Sequence, residues 1–147
     1  KQRPPFLLKS GYNTNMPFTE IPHTADWCLH VWSADLPSLF IEAAHGMNYL
    51  SGIQIGARSK KEQVFHTTAP DQEALLVAFL SNLIYFAEYE KMGFNEFSIQ
   101  LQADELTAAM KGAPLTSINK IIKAVTFHNL QIKKNKLGYE VDIVFDV

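Results

Sequence analysis

Cysteine is almost missing from this sequence: Cys28 stands alone among 147 residues. No internal disulfide can form from one thiol, and no CxxC or Cys/His spacing offers a zinc site. That usage suits a reducing compartment. A basic excess is missing too. With 13 Lys and Arg against 15 Asp and Glu, the formal charge is −2 and the pI about 6.2. Such a balance argues against holding nucleic acid mainly by neutralising phosphates, so RNA is expected to matter only through a partner. Long apolar runs are absent: Phe6-Leu7-Leu8 is too short for a signal core, and nothing reaches the length of a membrane span. The expected location is cytoplasmic. No internal repeat, low-complexity tract, glycine-rich phosphate loop or Ser/His/Asp signature is present.

What is present is apolar material for one core, 47% of a chain too short to expect two. Met16 directly precedes the first strand-like residues, so residues 1–16 read as an N-terminal extension, natural or left from cloning, and residues 17–147 as the domain. Thr19 to Ile21 and Trp27 to Ser33 read as strands. Leu36, Leu39, Phe40, Ala43, Ala44, Met47 and Leu50 recur at helical spacing behind Asp35 and Pro37 and stop at Gly52. Gly52 to Gly56 reads as a linker and Arg58 to Thr67 as a strand. Thr68-Ala69-Pro70-Asp71 predicts a capping box with proline in the first turn of a second, more buried helix, closed by Lys91 and Gly93. From Phe94 the period becomes two, predicting a hairpin that ends at Pro114, then strands over Lys120 to His128, Leu130 to Lys134 and Tyr139 to Phe145. On the last strand Tyr139, Val141, Ile143 and Phe145 share one face, which sends Asp142, Val144 and Asp146 to the other.

The chemistry-bearing stretch is Ile21-Pro22-His23-Thr24-Ala25-Asp26, an imidazole and a carboxylate three residues apart just before a strand. Its natural partner is Asp146-Val147. Carboxylates and backbone oxygens at strand ends are the donors a hard divalent cation prefers. The plainer reading is that Asp26 forms a turn or cap and that Asp146 is a solvated residue near a terminus.

Taken together, His23-Thr24-Ala25-Asp26, the helix Leu75-Leu76-Val77-Ala78-Phe79-Leu80-Ser81-Asn82, the run Lys123-Ala124-Val125-Thr126-Phe127-His128 and the ending Phe145-Asp146-Val147 resemble the archease family. The resemblance spans about Pro17 to Val147. It implies an α+β fold, two helices packed against an antiparallel or mixed sheet. It also implies a protein cofactor, not an enzyme: an activator of an RtcB-type RNA ligase that promotes GTP-dependent guanylylation and multiple turnover in tRNA splicing or RNA repair. The family's divalent cation, calcium with magnesium or manganese as alternatives, maps onto Asp26, Asp146 and Val147. His23 becomes either a supporting or ligating residue, or a structural histidine bonded to backbone. One departure is Pro22, where the family often carries an acid, and residues 1–15 have no counterpart.

Two other classes compete with the activator. A stand-alone metal-dependent hydrolase would use the same aspartates with His23 or His128 as base, and a generic interaction domain would use Asp26 and Asp146 only as caps. Lys123 has two readings as well. It is a solvated strand lysine, or it offers its ammonium to an acidic group of the ligase or a phosphate near the metal. Lys120, Lys133, Lys134 and Lys136 could enlarge a basic docking patch around it.

Overall fold

Alternating apolar residues set the strands, and two helical stripes set what covers them. The structure is a computed structural model describing residues 16–21, 27–57 and 60–147. In chain order its elements are β1 (Phe18–Ile21), β2 (Trp27–Ser33), α1 (Leu36–Ser51), β3 (Gln54–Ile55), β4 (Lys61–Thr68), α2 (Gln72–Tyr85), a π turn (Phe86–Glu90), β5 (Met92–Gln102), β6 (Glu105–Ser117), β7 (Ala124–Val125), β8 (Lys133–Asn135) and β9 (Gly138–Asp146).

They form an α+β fold with two antiparallel sheets where the sequence suggested one. In the first sheet β2 lies between β1 and β9, running beside β9 from Trp27 opposite Phe145 to Ser33 opposite Tyr139. The far edge of β9 carries β8 at its start and β7 at its end. In the second sheet the long strand β6 is flanked by β4 and β5 and meets β3 near its C-terminal end. α1 packs on β1, β2 and β9 of one sheet and β5 of the other, while α2 packs on β4, β6 and β7. Both helices thus bridge the sheets. Phe40 of α1 stacks on Phe79 of α2 at 6.2 Å between ring centroids, and both are wholly buried.

Helix one starts and stops where its sequence says. Asp35 Oδ1 accepts the Ser38 N–H at 2.8 Å, and Gly52 takes the left-handed conformation (φ 65°) while its N–H returns to Asn48 and Tyr49 carbonyls. Helix two differs from expectation. Thr68 is still paired with Glu105 in β4, so it cannot open a capping box; Asp71 is the cap, accepting from Ala74 N–H at 2.8 Å, and Pro70 lies outside the helix. At the other end the helix widens into the π turn, which Lys91 closes in the left-handed region (φ 54°), its Nζ donating to the Glu88 carbonyl at 2.7 Å. Gly93 belongs to β5.

Three further expectations are corrected. The Gly52–Gly56 linker contains the short strand β3. Pro114 does not end the hairpin, because β6 runs through it to Ser117. Its carbonyl accepts from Gly56 N–H at 3.1 Å, beyond the last β4 pair at Lys61 and Gly112, so no β4 ladder bond is lost to the missing amide. The predicted strands Lys120 to His128 and Leu130 to Lys134 shrink to two and three residues. Buried Ile122 and Val125 are three apart, which breaks the alternation, and Asn129 turns the chain in the left-handed region (φ 51°).

Candidate functional site

The C-terminal end of β9 is built by its alternation. Val141, Ile143 and Phe145 are buried on the face the sequence pattern gives them; Val144 on the other face is buried as well, and Asp146 is exposed at the end of the strand. Phe145 is held on both sides, by Trp27 of β2 and Val125 of β7. Asp146 lies opposite Ala124, and its carbonyl accepts the Lys123 N–H at 2.8 Å. Val147 is partly buried and packs against the core, so its side chain is occupied in anchoring the end of the strand.

Of the sequence-predicted site residues, His23 and Asp26 lie outside the described residues. The frame around them is described: Ile21, the last residue of β1, pairs with Cys28, and Trp27, the first residue of β2, pairs with Phe145. Lys123 is exposed just before β7. Lys120 sits close by, its Nζ 5.9 Å from the centre of the Trp27 ring, a cation–π approach. The larger basic patch does not assemble. Lys133 and Lys134 pair with Glu140 and Tyr139 at the other end of β9, some six residues and therefore about 20 Å along the strand from Asp146. His128 is exposed, its backbone N–H on Thr126 Oγ1 at 3.3 Å and its ring 3.3 Å from the Asn129 amide.

Two features were not anticipated. On the outer face of the first sheet His30, Asp142 and Glu140 come together, because β2 and β9 are neighbours in a register that sets His30 opposite Asp142. Only strand order reveals this, and no local motif encodes it. An apolar cavity of about 330 Å³ also opens between the end of α1, the π turn and the strand ends of the second sheet, with Met47, Leu83, Phe94, Ile118 and Ile122 among its walls.

The exposed Asp146 carboxylate has the oxygen chemistry that calcium, magnesium or manganese takes. Among the described residues no three His, Cys, Asp or Glu side chains converge as a closed metal cage, and no helix is long and apolar enough to cross a membrane.

An α+β domain of two antiparallel sheets bridged by two helices, with an acidic strand end beside an exposed lysine, is the class of protein so defined. The sequence matches the archease protein family (MTH1598/TM1083) over residues 18–147, and this chain belongs to that family. It is 30% identical to the protein archease of Methanosarcina barkeri, over 86% of this chain and 93% of that one, and 26% identical to the protein archease of Methanopyrus kandleri, over 90% and 100%. The fold is similar to the solution structure of Methanobacterium thermoautotrophicum protein 1598 at a TM-score of 0.68 and 20% identity, covering 90% of this chain and 99% of that one. It is also similar to a Thermotoga maritima protein described as an archease and possible chaperone, at a TM-score of 0.66 and 20% identity, covering 86% and 94%.

Proposed function

We propose that this chain is a cytoplasmic protein cofactor of an RtcB-type RNA ligase, promoting the ligase's GTP-dependent guanylylation and multiple turnover in tRNA splicing or RNA repair without turnover of its own. RNA meets it only through the ligase. Membership of the family supports the class of function. The observation that carries the site is the pairing of Trp27 with Phe145. Trp27 follows Asp26 in the sequence and Phe145 precedes Asp146, and this pairing of their neighbours supports reading the two aspartates as one site. In this reading Asp26, Asp146 and a backbone oxygen of Val147 hold a divalent cation, calcium with magnesium or manganese as alternatives. His23 supports the set, and Lys123 meets the partner. The cation's part is a fixed positive charge held by the two carboxylates.

The test is ligase guanylylation by GTP with and without this chain, alongside a phosphoesterase screen of the chain alone with Ca²⁺, Mg²⁺ or Mn²⁺. Faster guanylylation together with no turnover alone is expected. Equal ligase rates would sink the activator reading, and phosphoesterase activity lost on Asp26→Ala would put a metal-dependent hydrolase in its place.

A further inference from the structure

The outer face of the first sheet carries a second polar group whose distances suit a different ligand. His30 of β2 stands opposite Asp142 of β9. Its Nδ1 lies 2.5 Å from Asp142 Oδ1, and its Nε2 lies 3.5 Å from Glu140 Oε1. Glu140 is itself oriented, since its Oε2 accepts from Asn135 Nδ2 at 2.8 Å. Trp32 lies against the imidazole with 5.4 Å between ring centroids. Ring and carboxylate are therefore both aimed, and they border an open polar cavity shared with Asn129, Gln131 and Lys133.

Two arrangements compete for these atoms. An imidazolium bridging two carboxylates would close to about 2.7–2.9 Å on each side, the length of a charge-assisted N–H···O bond. Only the Nδ1 side is that tight. The 3.5 Å on the Nε2 side is long for such a bond. It is close to the separation of about 3.3 Å between two donors sharing a tetrahedral ion at about 2.0–2.1 Å each. A carboxylate on Nδ1 is also the common device for pointing Nε2 at a metal.

We propose that His30 Nε2 and Glu140 Oε1 are two ligands of a zinc-class divalent transition metal, with Asp142 and Asn135 orienting them. The imidazole nitrogen selects for zinc over calcium, which takes oxygen. The described residues supply two positions and the cavity leaves the rest to water or a partner's side chain. Lys133, opposite Glu140, opposes the cation and weakens it. The site stands four to six residues, about 13–20 Å, along β9 from Asp146, and rests on observations separate from those behind the ligase reading.

Zinc alone, titrated calorimetrically into the full chain carrying Asp26→Ala and Asp146→Ala, tests it free of the other proposed site. One zinc per chain is expected, with a shifted His30 Nε2 resonance in ¹⁵N NMR. Affinity should fall at least tenfold in His30→Gln and in Glu140→Gln, by roughly 10–100-fold in Asp142→Asn, and rise in Lys133→Ala. Circular dichroism checks folding, and if one of the first two variants does not fold the other decides. Absence of zinc uptake in the double-aspartate background, or uptake unchanged in the folded ligand variants, overturns the proposal.

Discussion

The amide of Lys123 donates to the carbonyl of Asp146 at 2.8 Å. This backbone bond extends the β7–β9 pairing past Ala124 and fixes a lysine and an aspartate at the same sheet end, both exposed. Their side chains are therefore free to differ in role, one toward a cation and the other toward a partner.

Asp146→Ala should abolish both cation binding and ligase stimulation while leaving the fold intact. The side chain is exposed and off the apolar face, so truncation opens no cavity, and the stability change should stay within about 0.5 kcal/mol. Calorimetry with Ca²⁺ and a thermal melt read the two effects separately. Normal stimulation by a folded Asp146→Ala variant would show the residue to be idle.

Lys123→Ala should reduce ligase guanylylation with cation affinity unchanged, and the gap from wild type should narrow as salt rises, because an exposed charge is screened within about 10 Å at 0.1 M. Lys134→Ala is the control. Its ammonium lies 5.9 Å from the Tyr139 ring centre at the opposite end of β9, and it should stimulate as wild type does. Equal activity of both variants at two salt concentrations would remove Lys123 from the interface.

Local signals in the sequence were legible where one element decides them. The α1 stripe, its Asp35 and Gly52 ends and the outward direction of Asp146 all follow from periods of 3.6 and 2. What failed depends on neighbours. Pro114 reads as a strand end until β3 and β4 show that its missing amide costs no β4 bond. Thr68 reads as a cap until β6 claims it. The His30, Asp142 and Glu140 group needs the order β2–β9, which a single sequence does not contain. The tie between Trp27 and Phe145 likewise appears only with the sheet.

Gly112→Ala tests the crossing of β5 and β6. A Cβ at Gly112 would lie 1.9 Å from the Gly93 carbonyl oxygen and 2.8 Å from its carbon, both backbone atoms that cannot swing aside. The strands must separate beside the bulge between Phe94 and Glu96. The expected loss is about 3 kcal/mol, the upper end for overpacking, seen as a melting point lower by roughly 10 °C. A melting point within two degrees of wild type would show that this crossing has slack.

Asp35 predicts a pH-dependent helix start. The Ser38 backbone N–H, and then the Ser38 side chain, bond its carboxylate and lower its pKa from the ordinary 3.8. A carboxyl with a depressed folded pKa stabilises the fold fully above its unfolded value of about 3.9, and this contribution is lost as pH falls through the folded pKa. At pH 7 Asp35→Ala should therefore cost about 1 kcal/mol, the usual value of an N-cap, and the difference from wild type should shrink below pH 4. Asp35→Asn keeps a side-chain oxygen for Ser38 but has no proton to gain, so its advantage over Asp35→Ala should stay level from pH 7 to pH 3. Urea denaturation of the three proteins at stepped pH measures both slopes. A wild-type advantage that does not change with pH would mean that the carboxylate's charge contributes nothing to the cap.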